Sequence, residues 1–334
     1  MAIERALAVI AENGKVMVIA GISHIPHVAA GIAKLDKKDK KRVFVIGEPA
    51  AKNTAPAIAC AVKLASCNEA GNMLVLTSDH IIKPQDIFCS DAAKAAAAAN
   101  EQNLVVFGIP PSRAETGYGY IEIKKQSKTD DIFAVAAFHE KPDLQTAKKY
   151  AASKSFFWNS GMFAFSVRFM AEQMRTLAPY VFLPFENLKH PKKDSFSISK
   201  GVQILNGWQG LENSYKKTKA ISFDYAIAEK CKKTVMVRTN FDWIDIGNWE
   251  EYASLLENAR KERGAPGIFK VESDTCFVDS DIPAALAGVE DLIIVIRSGK
   301  NGFPACALVT KKGKTQLIRK VVDQIKKSGK TDIL

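Results

Sequence analysis

Residues 43–66 open Val43-Phe-Val-Ile-Gly-Glu48-Pro-Ala-Ala-Lys-Asn53-Thr54-Ala55-Pro56 and continue as an alanine-rich run to Ser66. The first four residues are β-branched or aromatic, the composition of a short buried strand. The run from Pro56 to Ser66 is rich in helix formers. Asn53 or Thr54 can cap that helix, and Pro56 falls in its first turn, where a missing N–H does no harm. A strand that passes through a Gly-Glu-Pro turn into a capped helix is the building step of an α/β sheet.

The same alternation runs outward on both sides. Strands are expected at Val16–Ile19, Met73–Leu76, Leu104–Ile109, Tyr120–Ile123, Phe133–Phe138 and Met162–Phe165, and helices at Ile25–Leu35, Asp86–Glu101, Leu144–Ala152 and Val167–Leu177. This pattern predicts an α/β fold with helices on both faces of the sheet. Residues 180–220 read as polar and irregular, with one helix near Gly201–Asn213. Ser222 then caps a helix over Phe223–Lys230, a strand follows at Val235–Arg238, and Asn248–Arg260 is helical. Arg263-Gly-Ala-Pro-Gly267 reads as a linker. Past it, short apolar runs at Phe277–Val278, Ala284–Leu286, Leu292–Ile296 and Ala305–Val309 precede a basic helix, Thr315–Lys326. The expected organisation is therefore a main domain over 1–262 and a small β-rich region with a final helix over 263–334. At the start, Ile3, Ala6, Leu7 and Ile10 have helical spacing, with nothing ahead of them to cap a helix.

Composition narrows the function classes. A chain of 334 residues with 47% hydrophobic and 25% charged residues is of ordinary globular type. The net charge of +11 raises the question of nucleic acid. Its densest cluster, Lys34–Arg42, is broken by Asp36 and Asp39 and has no interleaved aromatics, so it reads as a solvated face, and no nucleic-acid partner is expected. No apolar run is long enough to span a bilayer, and the first residues have no signal-peptide pattern. The six cysteines are scattered without a CxxC pair, as reduced thiols in a cytoplasmic protein would be. Two motif-like stretches carry no weight. Gly313-Lys314-Thr315 ends like a phosphate loop, but Leu308 stands where the first glycine is required, and Gly117-x-Gly119 has no third glycine.

Five segments occur in a fixed order: Glu48-Pro-Ala-Ala-Lys-Asn-Thr-Ala-Pro56, Thr77-Ser-Asp-His80, Phe138-His-Glu-Lys-Pro-Asp143, Trp158-Asn-Ser-Gly-Met-Phe163 and Trp243-Ile-Asp-Ile-Gly-Asn-Trp249. In that order they resemble the sugar-nucleotide pyrophosphorylases, and most closely their bacterial mannose-1-phosphate guanylyltransferase branch. The resemblance implies a nucleotidyltransferase fold, a Rossmann-like mixed sheet with helices on both faces. It implies transfer of GMP from GTP to mannose 1-phosphate with Mg²⁺ as cofactor, GTP and mannose 1-phosphate as partners, and a homodimer as the assembly. The family opens on a Gly-Gly-x-Gly-x-Arg loop that grips the nucleotide phosphates, whereas this sequence has no Gly-Gly pair. By resemblance, the first strand and that loop would precede the helix at Ile3, and the chain as it stands is expected to be impaired in turnover. Two alternatives stay open: a non-catalytic sugar-nucleotide-binding remnant, and a nucleotidyltransferase for another hexose 1-phosphate.

The nucleophile of such a reaction is already an anionic phosphate oxygen, so no general base is needed and carboxylates at strand ends are the residues to seek. Asp79 follows the strand Met73–Leu76 at its carboxyl end, where open α/β sheets bind ligands, and Asp245 lies between Trp243 and Gly247. Each taken alone reads as a turn or cap residue. Within the matching motifs they are the implied metal and catalytic aspartates, with Lys141 the implied catalytic cation. None of the five histidines has metal-ligand spacing, so structural roles are expected for them. Glu48 reads either as a surface glutamate before a proline turn or as the reader of guanine, whose N1–H and N2 amino group suit a carboxylate. Asn53, Thr54 and Ala55 line a helix N-terminus that favours polar nucleotide groups. By resemblance Gly119 lets backbone approach the sugar, Glu140 accepts sugar hydroxyls, Lys141 meets the phosphate and Asn159 reads the sugar's far side. Asp224 matches a sugar-binding position too, with stabilisation of a helix N-terminus as its competing role.

Overall fold

The computed structural model describes residues 2–69, 71–100, 102–129, 131–247, 249–261, 267–299 and 304–330. The expected linker at 263–266, the boundary between 262 and 263, and Asn248 of the last motif lie outside the described residues. Two compact units are present: residues 1–78 with 82–243, and residues 79–81 with 244–334.

In chain order the strands up to residue 245 are β1 (Val16–Gly21), β2 (Val43–Glu48), β3 (Asn72–Val75), β4 (His80–Lys83), β5 (Leu104–Ile109), β6 (Tyr120–Thr129), β7 (Ile132–His139), β8 (Phe156–Ser166), β9 (Phe196–Ser199), β10 (Val202–Leu205), β11 (Thr234–Arg238) and β12 (Asp242–Asp245). The helices of the first unit are α1 (Ala2–Val9), α2 (Ile25–Ile32), α3 (Lys37–Lys40), α4 (Thr54–Cys67), α5 (Gln85–Asn100), α6 (Leu144–Ala151), α7 (Val167–Leu177), α8 (Pro179–Glu186) and α9 (Leu211–Lys217).

A mixed six-stranded sheet has the order β3-β8-β5-β11-β7-β6. Its strands alternate faces with the two-residue period of extended chain. Leu104 and Val106 face one core with α4, α7 and α8, whereas Val105 and Phe107 face another with α5 and Ala147 of α6. Helices therefore cover both faces, as expected. β8 is far longer than the expected Met162–Phe165, because the Trp158-Asn-Ser-Gly motif is itself strand. It pairs antiparallel with β3, β5 and β6, with Gly161 at φ +67 between its halves.

A second sheet, β1-β2-β10-β9, holds the quoted strand in its interior, parallel to β1 and β10. Leu7 of α1 and Ile25, Ala29 and Ile32 of α2 cover it against Val16, Val43, Val45, Val202 and Ile204. The helix expected near Gly201–Asn213 is the strand β10, and helix begins only at Leu211. Lys200 and Gly201, at φ 51 and 76, form a two-residue hairpin turn between β9 and β10. The expected helix Phe223–Lys230 is a π-helical turn, Asp224–Ala228, with Ser222 Oγ accepting from the Tyr225 N–H at 3.3 Å.

In the second unit, α10 (Trp249–Lys261) lays Trp249, Tyr252, Ala253 and Leu256 on Phe277, Ile293 and Val295. The strands β13 (Ile268–Val271) and β15 (Ala284–Ala287) pair in parallel, and β14 (Phe277–Ser280), β16 (Leu292–Arg297) and β17 (Cys306–Lys311) form a three-stranded sheet. The unit ends in α11 (Ile318–Ser328). Among the described residues, β13 is the one strand here outside the expected apolar runs.

Candidate functional site

Glu48 ends β2 at the carboxyl edge of the four-stranded sheet. A cavity of about 410 Å³ opens there, lined by Gly21, Ile22, Ser23, His24 and Glu48 through Ala51. Burial lifts the Glu48 carboxyl above the usual carboxylate range, and the Tyr215 hydroxyl opposite it pulls it partway back. Despite that proximity, neither Glu48 Oε1 nor Tyr215 Oη has a hydrogen-bond partner of normal geometry. Cys60 of α4 completes the group, its thiol pushed up to about 12 by burial and by the Glu48 charge. A buried carboxylate oxygen without a donor is costly unless a ligand supplies one.

The adjoining loop is fastened to the turn around Ile221. Asn53, at φ 69, caps α4 by accepting from the Thr54 N–H at 2.8 Å. Thr54 Oγ1 accepts from the Phe223 N–H at 2.8 Å, and the Ala55 N–H donates to the Ile221 carbonyl at 3.1 Å. These donors and acceptors already serve the protein; Asn53 and Thr54 remain accessible at the surface, while Ala55 is buried.

The second set gathers at one end of the six-stranded sheet. β7 stops at His139, leaving Glu140 and Lys141 just beyond it, and Lys141 Nζ pairs with Glu140 Oε1 at 2.9 Å. A Cβ at position 119 would lie 2.8 Å from Glu140 Oε2, so glycine makes room for that carboxylate. The Asn159 N–H donates to the Gly119 carbonyl at 2.8 Å, while Asn159 Nδ2 donates to Asp224 Oδ1 at 2.8 Å. Asn159 Oδ1 accepts from the Gly161 N–H at 3.1 Å. Burial holds the Asp224 carboxyl above its usual range, opposed chiefly by the Asn159 amide. The Glu140 charge adds to that rise and Lys141 opposes it. All five expected residues thus belong to one constellation.

The exposed Glu229 lies within reach of their charges, its carboxyl raised by partial desolvation and by Glu140 and Asp224. The π-helical turn explains this neighbour: the Glu229 N–H donates to the Asp224 carbonyl at 3.0 Å, an i→i+5 closure that stacks residues five apart. A search at α-helical spacing passes over it. Behind the set, Tyr118, Trp158 and Trp243 form an aromatic cluster with ring centroids 5.2–6.4 Å apart, which ties two of the quoted motifs to the start of β6.

The aspartates lie in the second unit. β4 and β12 form a two-stranded sheet, and the Ile246 N–H donates to the Asp79 carbonyl at 3.2 Å. His80 Nε2 sits 4.0 Å from Asp79 Oδ1 and 3.9 Å from Asp245 Oδ1. The three ligand atoms lie within 4.8 Å of one another. The Gly247 N–H donates to Asp245 Oδ1 at 2.7 Å, which fixes that carboxylate. Two carboxylates fit a hard divalent cation that completes its shell with water and phosphate oxygens; the imidazole is the less suited donor for Mg²⁺. His80 was not legible as a member, because spacing rules look for ligands on one segment and these come from two.

Residues 7–262 match the family model described as Nucleotidyl transferase. The chain belongs to that family. Among relatives of this nucleotidyl transferase, a mannose-1-phosphate guanylyltransferase of Salmonella muenchen is 32% identical over 327 residues, covering 96% of this chain and 64% of the relative. The xanthan biosynthesis protein XanB of Xanthomonas campestris pv. campestris (strain B100) is 30% identical, over 93% of this chain and 63% of that one. The chain therefore spans just under two thirds of the length of these curated relatives. A crystal structure described as mannose-1-phosphate geranyltransferase from Thermus thermophilus superposes with a TM-score of 0.70 at 22% identity, covering 95% of this chain and 100% of that chain, which establishes the shared fold. Nucleotidyl transferases of this family generally use a divalent metal ion. No helix among the described residues is long and apolar enough to cross a membrane.

Proposed function

We propose that this nucleotidyl transferase moves GMP from GTP to mannose 1-phosphate. An anionic oxygen of mannose 1-phosphate attacks the α-phosphorus of GTP, the new O–P bond forms, the bond to the β-phosphate oxygen breaks, and pyrophosphate leaves as GDP-mannose is released. The observation that carries the reading is the unpartnered, buried Glu48 Oε1 at the carboxyl end of β2, a strand parallel to both of its neighbours. Guanine offers N1–H and the N2 amino group side by side, the donors this carboxylate lacks. Asn53, Thr54 and Ala55 hold the nucleotide side of the loop.

On the sugar side, Glu140 and Asp224 accept hydroxyl protons, Asn159 fixes Asp224, and Gly119 leaves room for both sugar and carboxylate. Lys141 exchanges its pairing with Glu140 for the sugar phosphate. Asp79 and Asp245 would hold Mg²⁺, which would supply positive charge to phosphate oxygens. The relatives named as mannose-1-phosphate guanylyltransferases support the substrate pair, and the xanthan biosynthesis relative supports a place in polysaccharide biosynthesis. A cytoplasmic location and assembly as a homodimer belong to the same proposal.

Pyrophosphate release by the protein should be assayed with GTP, ATP, UTP and dTTP against mannose, glucose and galactose 1-phosphates. Calorimetric binding of GDP-mannose, UDP-glucose and ADP-glucose should be measured alongside. Selective use of GTP with mannose 1-phosphate and selective binding of GDP-mannose are expected; preference for another pair would overturn the assignment.

A further inference from the structure

Tyr215 stands in Leu211-Glu-Asn-Ser-Tyr-Lys-Lys217, a stretch that reads as polar surface helix. In the structure its side chain is 1% exposed, and its ring meets Phe185 edge-on with centroids 5.3 Å apart at 90°. The hydroxyl therefore has a fixed position, and that position faces the Glu48 carboxylate and the Cys60 thiol. Two cavities share lining residues here. Glu48 lines the one of about 410 Å³, Tyr215 lines a neighbour of about 310 Å³, and Pro49 and Ala50 line both. Glu48 and Tyr215 thus each line a cavity that borders the Pro49-Ala50 turn.

The polar inventory around Glu48 is uneven. Glu48 Oε1 and Tyr215 Oη are both buried without a hydrogen-bond partner. Burial pushes the phenol far above its ordinary pKa, so it stays an O–H donor. An ionised carboxylate has more acceptor positions than two guanine N–H groups fill. A donor at the back of such a carboxylate fixes its plane and leaves the front for the ligand, as outer partners do for metal-ligating side chains.

We infer that Tyr215 is a positioning residue for base recognition: with nucleotide bound, its buried hydroxyl donates to the Glu48 carboxylate and sets the orientation in which Glu48 meets the base. The inference rests on Glu48 being the base reader. Tyr215→Phe keeps the ring on Phe185 and removes only the hydroxyl, so the fold is retained.

The test is a double-mutant cycle on the full chain by titration calorimetry. GTP, ITP (which lacks the N2 amino group) and mannose 1-phosphate are titrated into the parent, Tyr215→Phe, Glu48→Gln and the double variant, with ligand-free thermal melts of each. Tyr215→Phe is expected to weaken GTP on the order of tenfold, to leave mannose 1-phosphate unchanged, and to melt close to the parent. In the Glu48→Gln background the tyrosine change should have little further effect, because the two act as a unit. If Glu48→Gln weakens GTP while Tyr215→Phe does not, or if the two losses simply add, Tyr215 does not position Glu48. If Glu48→Gln leaves both GTP and ITP unchanged, the base-reading role itself fails, and the inference falls with it.

Discussion

In Glu48, the proposed base reader, recognition and stability pull in opposite directions. A ligand-free carboxyl held above its unfolded pKa by burial favours the folded state most below that unfolded value, and this contribution is lost as pH rises through the folded pKa. At neutral pH the charged, under-partnered carboxylate therefore weakens the fold. Glu48→Gln should raise the melting temperature of the ligand-free protein at neutral pH, with the gain shrinking as pH falls toward about 4, read by melts across that range. The same change should weaken GTP. Glu48, Asp79, Glu140 and Asn159 stood out as candidates in the sequence because each sits in a quoted motif next to a strand. Tyr215, His80 and Glu229 did not. Tyr215 lies in a segment that reads as surface, His80 joins two carboxylates contributed by separate segments, and Glu229 requires a π-helical closure.

At the scale of elements, the start of β6 lies against the end of β7, and Gly119 and Glu140 share that point. Gly119→Ala would put a methyl group 2.8 Å from Glu140 Oε2, a distance at which the carboxylate must move. The backbone there accepts alanine, since Gly119 is not among the residues with positive φ. The expected result is a KM for the sugar phosphate raised on the order of tenfold, with melting temperature and nucleotide KM close to the parent's, measured by steady-state kinetics and thermal melts. The strand–helix alternation was readable through residue 177, because each apolar run is bounded by caps or turn residues. It failed over 180–220, where Lys200-Gly201 makes a hairpin turn with both φ values positive between short strands that carry polar alternation. A two-residue turn ending in glycine was the available signal.

Over the whole molecule, the nucleotidyl transferase class was legible from motif order and from alternation. The partition into units was not. Residues 79–81 belong by contact with 244–334, so a linear reading cannot find the division. That three-residue piece carries Asp79 and His80 to Asp245. Asp79→Asn and Asp245→Asn should each weaken binding of Mn²⁺, measured by electron paramagnetic resonance, by at least about tenfold, while mannose 1-phosphate binding without metal stays near the parent value. Unchanged Mn²⁺ affinity in both variants would remove the aspartate pair from the metal site.

The central claim is that Glu48 makes this nucleotidyl transferase a guanylyl enzyme. Its most direct test is the ratio of kcat/KM for GTP to that for ATP, measured with saturating mannose 1-phosphate in the parent and in Glu48→Gln. A ratio well above one in the parent is predicted, falling by about 10–100-fold in the variant as one buried charge-assisted contact is replaced by a mismatched amide. A parent ratio at or below one, or a ratio that the substitution leaves unmoved, would contradict it.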